Sequence, residues 1–405
     1  MVKTGKLSLP DEQRESGRQQ ILEVIRSADH IARIDIARAT GFSPATVTTL
    51  TAELLNAGVI EHAADAKNRP NGSRGRPRVA LAIRGQAHRI AGIKVAHHLI
   101  TVVITDFTGQ DIICHEVSRK QSRVATYALC TEICAALNAS CAMGGFTVDQ
   151  LSGVGLGLAG MVDAPRRFIY WSSSLTERNV DLGQALDTFL PCPVFVDNDA
   201  NLVAKAEHLF GEGRRCDNFI VITIEHGVGM GIVINNQIYR GARGCGAEFG
   251  HTKVQLEGAL CQCGGRGCLE AYVGDYALLR EANSTSGRNR YNTPAALFDA
   301  AKNGDGMAQS ILDHAGRIFA MGLANVVNIF DPEKIILAGA RLSFDHLYSD
   351  RMIEDMKQWI VKVDAPMPEI RVHDWGDLMW AKGAAAYAIE EVTARTVKSL
   401  AHAAG

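Results

Sequence analysis

The sequence predicts an α/β protein with a small, mainly helical head at its N-terminus. Three observations lead there. From about residue 86 onward, apolar runs of strand length alternate with stretches of helical periodicity, the pattern of layered α/β architecture. Before that, residues 17–83 read as helix, short helix, turn, helix and ribbon. The charge also changes sign between the two parts: residues 1–84 hold 13 Lys/Arg against 9 Asp/Glu, and the remainder 29 against 35. An acidic body with a basic head assigns any polyanion contact to the head.

The chain's 405 residues suit two or three domains, and 47% hydrophobic with 21% charged residues is an ordinary globular balance. The ten cysteines are dispersed apart from one triplet. That is no disulfide framework, and a reducing cytoplasm is the expected location. The N-terminus lacks the apolar core of a signal peptide, and no run is long enough to span a membrane.

Within the head, a first helix is expected over residues 17–27, with Ile21, Leu22, Val24 and Ile25 on its apolar face. Residues 33–39 form a short second helix, broken by Gly41. Ser43 and Pro44 then open a third, the serine capping free N–H groups and the proline preorganised for the first turn. Val47, Leu50 and Leu54 share one face, which leaves Ala45, Thr46, Thr48 and Thr49 pointing elsewhere. Gly58 ends this helix, and strands follow near residues 59–61 and 79–83. The order is that of a winged helix-turn-helix, whose third helix enters the major groove with its N-terminal residues facing base edges. Ser43, Ala45, Thr46, Thr48 and Thr49 are the candidate DNA contacts; a three-helix protein-interaction module is the competing reading. Residues 67–84 contain six basic and no acidic residues. Their centre, Arg74-Gly75-Arg76-Pro77-Arg78, stays thin and extended. Arg74, Arg76 and Arg78 thus suit a narrow minor groove, with a solvated linker or wing tip as the plainer role. Gly85 is a plausible hinge.

In the body, strands are expected at residues 90–95, 99–105 and 111–116, and a helix at 124–143. A buried strand at 154–158 runs into Ala159-Gly160, and another at 194–196 ends on Asp197-Asn198-Asp199. A helix follows at 201–210. Strands at 219–224 and 231–234 flank Gly227-Val228-Gly229-Met230-Gly231. Two long helices are expected across 306–330, then a strand at 334–337 and a last helix at about 378–395. The repeat of hairpin, helix and strand suggests two similar lobes with a cleft between them.

The densest chemistry lies between Glu248 and Glu270. Cys261-x-Cys263-x4-Cys268 sits in a loop with Gly264, Gly265 and Gly267, and His251 lies ten residues upstream of Cys261. Three thiolates and one imidazole suit a tetrahedral zinc with no open position, hence a structural ion. His251, Cys261, Cys263 and Cys268 are its candidate ligands; buried unligated cysteines or a disulfide are the alternatives.

These residues carry a resemblance. Glu248-x-Gly250-His251, followed by Cys261-x-Cys263-Gly264-x-x-Gly267-Cys268-Leu269-Glu270, resembles the signature of the ROK family. Asn198-Asp199-Ala200-Asn201 is a second match and Ala159-Gly160-x-Val162-Asp163 a looser third. The family contains bacterial sugar kinases and sugar-responsive repressors on an actin-like, two-lobed ATPase-type fold, and the resemblance spans about residues 86–395. With the winged head in front, the chain resembles the repressor branch, regulators like those of N-acetylglucosamine and xylose genes. The implied division is 1–84 for the head, 85–200 for the first lobe with the helix from about 378–405 packing back on it, and 201–377 for the second lobe with the zinc motif.

The resemblance implies a sugar site at Asn198, Asp199, Glu248, His251 and Glu270. The chemistry agrees, because ionised carboxylates accept charge-assisted bonds from sugar hydroxyls and Asn both donates and accepts. Asp197 reads instead as a solvated loop residue or helix cap. In a kinase Asp199 would be the base. The family's first phosphate loop, Asp-x-Gly-Gly-Thr, falls on Lys94-Val95-Ala96-His97-His98, which has neither the Asp nor the glycines. The second loop survives only as Gly227–Gly231, preceded by Glu225-His226, and the adenosine loop as Ala338-Gly339-Ala340-Arg341. The expected function is therefore a non-enzymatic, sugar-responsive regulator, a repressor, binding operator DNA and a sugar or sugar phosphate as a homodimer or tetramer. An ATP-dependent sugar kinase with a regulatory head is the alternative. A third reading is signalling through a protein such as a transporter component.

Overall fold

The computed structural model describes residues 11–63, 80–224, 226–286, 290–339, 350–364, 366–373 and 376–402. Arg74, Arg76 and Arg78 lie outside the described residues, as do Glu225, Ala340 and Arg341.

The head comprises α1 (Asp11–Ser27), β1 (Ile31–Ala32), α2 (Arg33–Thr40), α3 (Pro44–Asn56), β2 (Ile60–His62) and β3 (Ala80–Ile83). The strands form an antiparallel sheet in the order β1-β3-β2. Ser43 caps α3 by accepting from the Thr46 N–H at 3.1 Å, and Gly41 ends α2 at φ 73°. Helix α1 begins well before residue 17. Its polar first half is held by α3, through ion pairs from Arg14 and Arg18 to Glu53 at 2.6 and 2.7 Å, a tertiary hold that apolar periodicity does not reveal. Ile21, Leu22, Ile25, Ile36, Val47, Leu50 and Leu54 are buried together.

In the body, β4 (Arg89–Val95), β5 (Leu99–Asp106) and β6 (Asp111–Ser118) form an antiparallel meander, followed by α4 (Thr126–Met143) and β7 (Gly153–Leu158). A small sheet of β8 (Gly160–Asp163), β9 (Phe168–Ser172) and β10 (Val180–Asp181) leads through α5 (Leu182–Asp187) to β11 (Val194–Asn198) and α6 (Asp199–Phe210). The first large sheet has the order β11-β7-β4-β5-β6, with β4, β7 and β11 parallel.

The second sheet repeats that plan. β12 (Phe219–Ile224), β13 (Val228–Ile234) and β14 (Gln237–Ile238) form its meander. Helices α7 (Glu270–Val273), α8 (Asp275–Ser286), α9 (Pro294–Lys302) and α10 (Gly306–Phe330) precede β15 (Lys334–Ala338), and α11 (Asp350–Lys357) precedes β16 (Glu369–His373). The order is β14-β13-β12-β15-β16, with β12, β15 and β16 parallel. The central strands are buried on both faces, as parallel strands covered by helices must be.

Two expectations change. Residues 306–330 form one helix of 25 residues, not two. Gly316 and Gly322 do not break it; both are buried within it, and Gly322 lets Leu269 and Phe249 approach. Helices α8 and α9 fill a region to which the sequence assigned nothing.

The last helix, α12 (Met379–His402), packs back on the first sheet. The fit depends on small residues. A Cβ at Gly92 would strike Ala381 and Ala385, and one at Gly155 would strike the Ala384 backbone. Gly383 allows the same approach to Leu202 of α6.

Candidate functional site

Strand β11 hands over to α6 at Asn198-Asp199, and this junction supplies one wall of the site. Asn198 is the N-cap of α6: its Oδ1 accepts from the N–H groups of Ala200 at 2.9 Å and Asn201 at 3.4 Å, and its Nδ2 donates to Gly160 O at 2.8 Å. Asp197 is neither cap nor solvated loop. It is fully buried, accepts from Arg240 Nε at 2.8 Å, and also accepts from the Asn198 N–H and Asn201 Nδ2. The buried charge is thereby paired and hydrogen-bonded, the only condition under which burial is tolerated. Sequence reasoning missed Arg240 because no local pattern links it to a residue 43 positions away.

The opposite wall is the Glu248–Glu270 stretch. A 3-10 turn over Phe249–His251 tucks Phe249 into the second lobe's core. His251 Nδ1 lies 3.7 Å from Cys261 Sγ, while its Nε2 faces Glu248 Oε2 at 4.0 Å. Cys263 Sγ lies 3.7 Å from Cys268 Sγ, and the ligand atoms of all four residues fall within 4.8 Å of one another. A tetrahedral ion with metal–sulfur bonds of about 2.3 Å needs sulfur–sulfur edges of roughly 3.8 Å. The residues therefore fit the group. The loop closes because Gly264 and Gly267 take φ of 89° and 72°, a region open to glycine. Lys253 Nζ donates to Cys268 Sγ at 2.8 Å.

Glu270 begins α7 beside this cluster and is 9% exposed. It accepts from the Val228 N–H at 3.3 Å and from Tyr276 Oη at 3.2 Å, tying the β12–β13 hairpin to the cysteine loop. Burial, with the nearby Asp199 and Glu270 carboxylates, pushes Glu248 up to about 7. Burial also holds Asp199 above the usual carboxylate range, partly offset by the Lys94 ammonium. Asn198, Asp199, Glu248, His251 and Glu270 thus converge from two walls, and the cysteine cluster lies directly behind the second.

The segment at residues 94–98 borders the same space. Lys94 Nζ sits over the Trp380 ring, 3.4 Å from its centroid, and the His97 ring lies 5.1 Å from that of His226 on the second lobe. Tyr276 and Trp380 were also missed from sequence, since both reach the site from helices elsewhere in the chain.

In the head, Ser43, Ala45, Thr48 and Thr49 are exposed and Thr46 is half-buried. Thr48 and Thr49 bond back to the carbonyls of Pro44 and Ala45 at 2.7 and 3.1 Å.

The two sheets of one plan, with acidic side chains converging between them behind a winged helix, define a two-lobed body of the sugar-kinase type joined to a DNA-binding head. The ROK family profile matches residues 90–391, and a winged helix-turn-helix DNA-binding profile matches residues 18–61. The chain belongs to the ROK family. The xylose repressor of Caldicellulosiruptor bescii is 27% identical over 349 residues, covering 84% of this chain and 86% of that protein. A ROK family transcriptional regulator described as a homolog of the E. coli MLC protein shares the fold with a TM-score of 0.79 at 22% identity, covering 97% of this chain and 100% of that one. A ROK family glucokinase from Streptomyces griseus, in complex with glucose and AMPPNP, gives a TM-score of 0.64 at 28% identity; it covers 74% of this chain and 99% of its own. No described helix is long and apolar enough to cross a membrane.

Proposed function

We propose that this protein is a sugar-responsive transcriptional regulator, a repressor, that lacks kinase activity. One observation carries the reading. Carboxylates converge as a sugar needs, yet the neighbouring 94–98 segment holds a cation stacked on Trp380 and an imidazole beside His226. A phosphate cradle needs bare backbone N–H groups in close approach, and these side chains fill that space.

The division into head, first lobe and second lobe at about residues 84 and 200, with α12 returning to the first lobe, is the organisation we adopt. Asp199, Glu248 and Glu270 accept bonds from hydroxyls of a sugar or sugar phosphate. Asn198 has one amide hydrogen left to contribute, because its other groups cap α6 and hold Gly160. Zinc would be held by His251, Cys261, Cys263 and Cys268. When bound it would supply a closed, structural cross-link, and His251, held to it through one ring nitrogen, would keep the other towards Glu248 and the effector.

Helix α6 supports a route to DNA. It starts at Asp199 and ends at Phe210, which packs on Gly109 beside α1 of the head. Arg26 of α1 donates to Phe107 O at 2.5 Å, and Arg214 donates to Ser27 O at 2.8 Å. An effector that favours one lobe arrangement therefore biases the head. A homodimer or tetramer would present paired heads to half-sites spaced by whole helical turns. The α3 face supplies base contacts, and Arg74, Arg76 and Arg78 supply groove contacts.

The kinase reading keeps one argument: Asp199 stands where a general base would. A coupled assay of ATP consumption across hexoses, amino sugars and pentoses separates the two. The regulator reading expects no sugar-dependent turnover, together with a sugar that raises the melting temperature. Sugar-dependent ADP formation would overturn it.

A further inference from the structure

The head meets the body around two cavities that share Arg26, Leu209 and Arg214. One, of about 380 Å³, is bordered by the end of α1, the β5–β6 turn, the end of α6 and Lys382 of α12. The other, of about 360 Å³, lies between α1, α6 and α12, over Leu22, Ala386 and Ile389. Neither is lined by the carboxylates of the effector cleft or by the candidate DNA contacts of α3.

The first cavity has three cations and two carboxylates on its wall. Lys382 pairs with Asp111 at 2.8 Å. Arg214 donates to Ser27 O at 2.8 Å and stands 3.8 Å from Asp29, whose side chain is 81% exposed, so water largely screens that pair. Arg26 donates to Phe107 O at 2.5 Å and to Thr393 Oγ1 at 3.4 Å, and its guanidinium lies over the Phe107 ring. Among the described residues no carboxylate stands within ion-pair reach of it; Asp106 and Glu23 act from farther off, and burial outweighs them, bringing its pKa down to about 10. Thr105 adds a second unmet group. It lines the same cavity, is 2% exposed, and its hydroxyl has no hydrogen-bond partner among the described residues. A buried cation without a counter-charge and a buried hydroxyl without a partner both cost stability, and one oxyanion accepting from the two removes both costs.

We propose that this junction cavity is a second ligand site, separate from the effector cleft, and that it binds a small organic oxyanion, a carboxylate or a phosphate ester, between Arg26, Arg214 and Thr105. The planar guanidinium fork matches both kinds of oxyanion. The volume is at the small end of ligand sites, which suits a compact acid better than a nucleotide. Such a ligand touches Arg26 of the head and Arg214 and Thr105 of the body at once, so it favours the docked arrangement of the head. Operator binding then answers to two small molecules, one in the cleft and one at the junction.

The test is thermal unfolding and calorimetric titration of the full-length protein with citrate, malate, phosphoglycerate and inorganic phosphate, each against sodium chloride at the same ionic strength. At least one organic anion should raise the melting temperature saturably and bind with a Kd of about 1 mM or tighter; the carboxylate and phosphate arms show which group the site takes. Arg26→Gln should weaken that binding about tenfold or more, the size of a lost charge-assisted contact, and Thr105→Val about threefold or more. Thr105→Val should leave the ligand-free protein as stable as wild type, because its hydroxyl bonds nothing there, so it decides the matter should Arg26→Gln fail to fold. No saturable shift beyond that of sodium chloride overturns the site, and so does an affinity that a folded Arg26→Gln or Thr105→Val leaves unchanged. Either failure leaves the reading of the effector cleft standing.

Discussion

His251 Nδ1 stands 3.7 Å from Cys261 Sγ, and the two residues lock the wall that carries Glu248 to the loop that carries Glu270. The imidazole faces the metal position with one nitrogen and the cleft with the other. On the proposed reading, structural metal and effector recognition share this side chain, and losing one should disturb the other.

Replacing Cys263 with Ser removes one of the four residues that could hold the ion, at an exposed edge of the loop. Wild-type protein should hold zinc stoichiometrically by elemental analysis. The variant should lose it and bind effector at least tenfold more weakly, since the ion would join His251 and the Glu248 wall to the loop that runs into Glu270. Full effector binding without metal would contradict this.

Arg240→Met leaves Asp197 buried without its cation. The expected loss is roughly 3–5 kcal/mol of stability, because an uncompensated buried carboxylate is the costly product of breaking such a pair. Urea unfolding measures it. Asp197 also accepts from the Asn198 N–H, so effector affinity should fall as well. An unchanged unfolding midpoint would refute the role.

Gly155→Ala sets a Cβ against the Ala384 backbone of α12, where no flexible side chain can yield. A loss of about 1–3 kcal/mol is expected from overpacking of this kind, again by denaturant titration. Ala at exposed Gly304, where a Cβ meets nothing within 4 Å, is the comparison for added bulk, although its φ of 90° carries strain of its own.

His88 gives a pH dependence at the junction of head and body. It bonds Ser152 at 2.8 Å and Thr396 at 3.2 Å, and packs on Phe107 at 4.7 Å. Burial, then the Arg26 cation, lowers its pKa in the fold. The unfolded chain therefore takes up this proton first as pH falls through about 6.5, and stability drops from there down to the folded-state value. Melting temperature should fall more steeply between pH 7 and 5 for wild type than for His88→Gln. Parallel curves would contradict this.

Much of this was legible in the sequence because the decisive features are local. The cysteine spacing, the Ser43-Pro44 cap and the alternating apolar runs each act within a few residues. What escaped notice is long-range. The Asp197–Arg240 pair, the Tyr276 bond to Glu270 and the Trp380 ring over Lys94 arise only when separate elements meet. The continuity of α10 escaped because a glycine that admits a neighbouring side chain reads the same as a glycine that ends a helix.

The central claim is tested most directly by fluorescence anisotropy of the full-length protein on DNA from upstream of its own gene, at low and moderate salt, with and without the sugars and sugar phosphates above. The account predicts binding that weakens steeply with salt and that one effector shifts by tenfold or more, while Arg76→Ala weakens binding across sequences without altering effector affinity. DNA binding that no effector moves, or no DNA binding under any of these conditions, would contradict it.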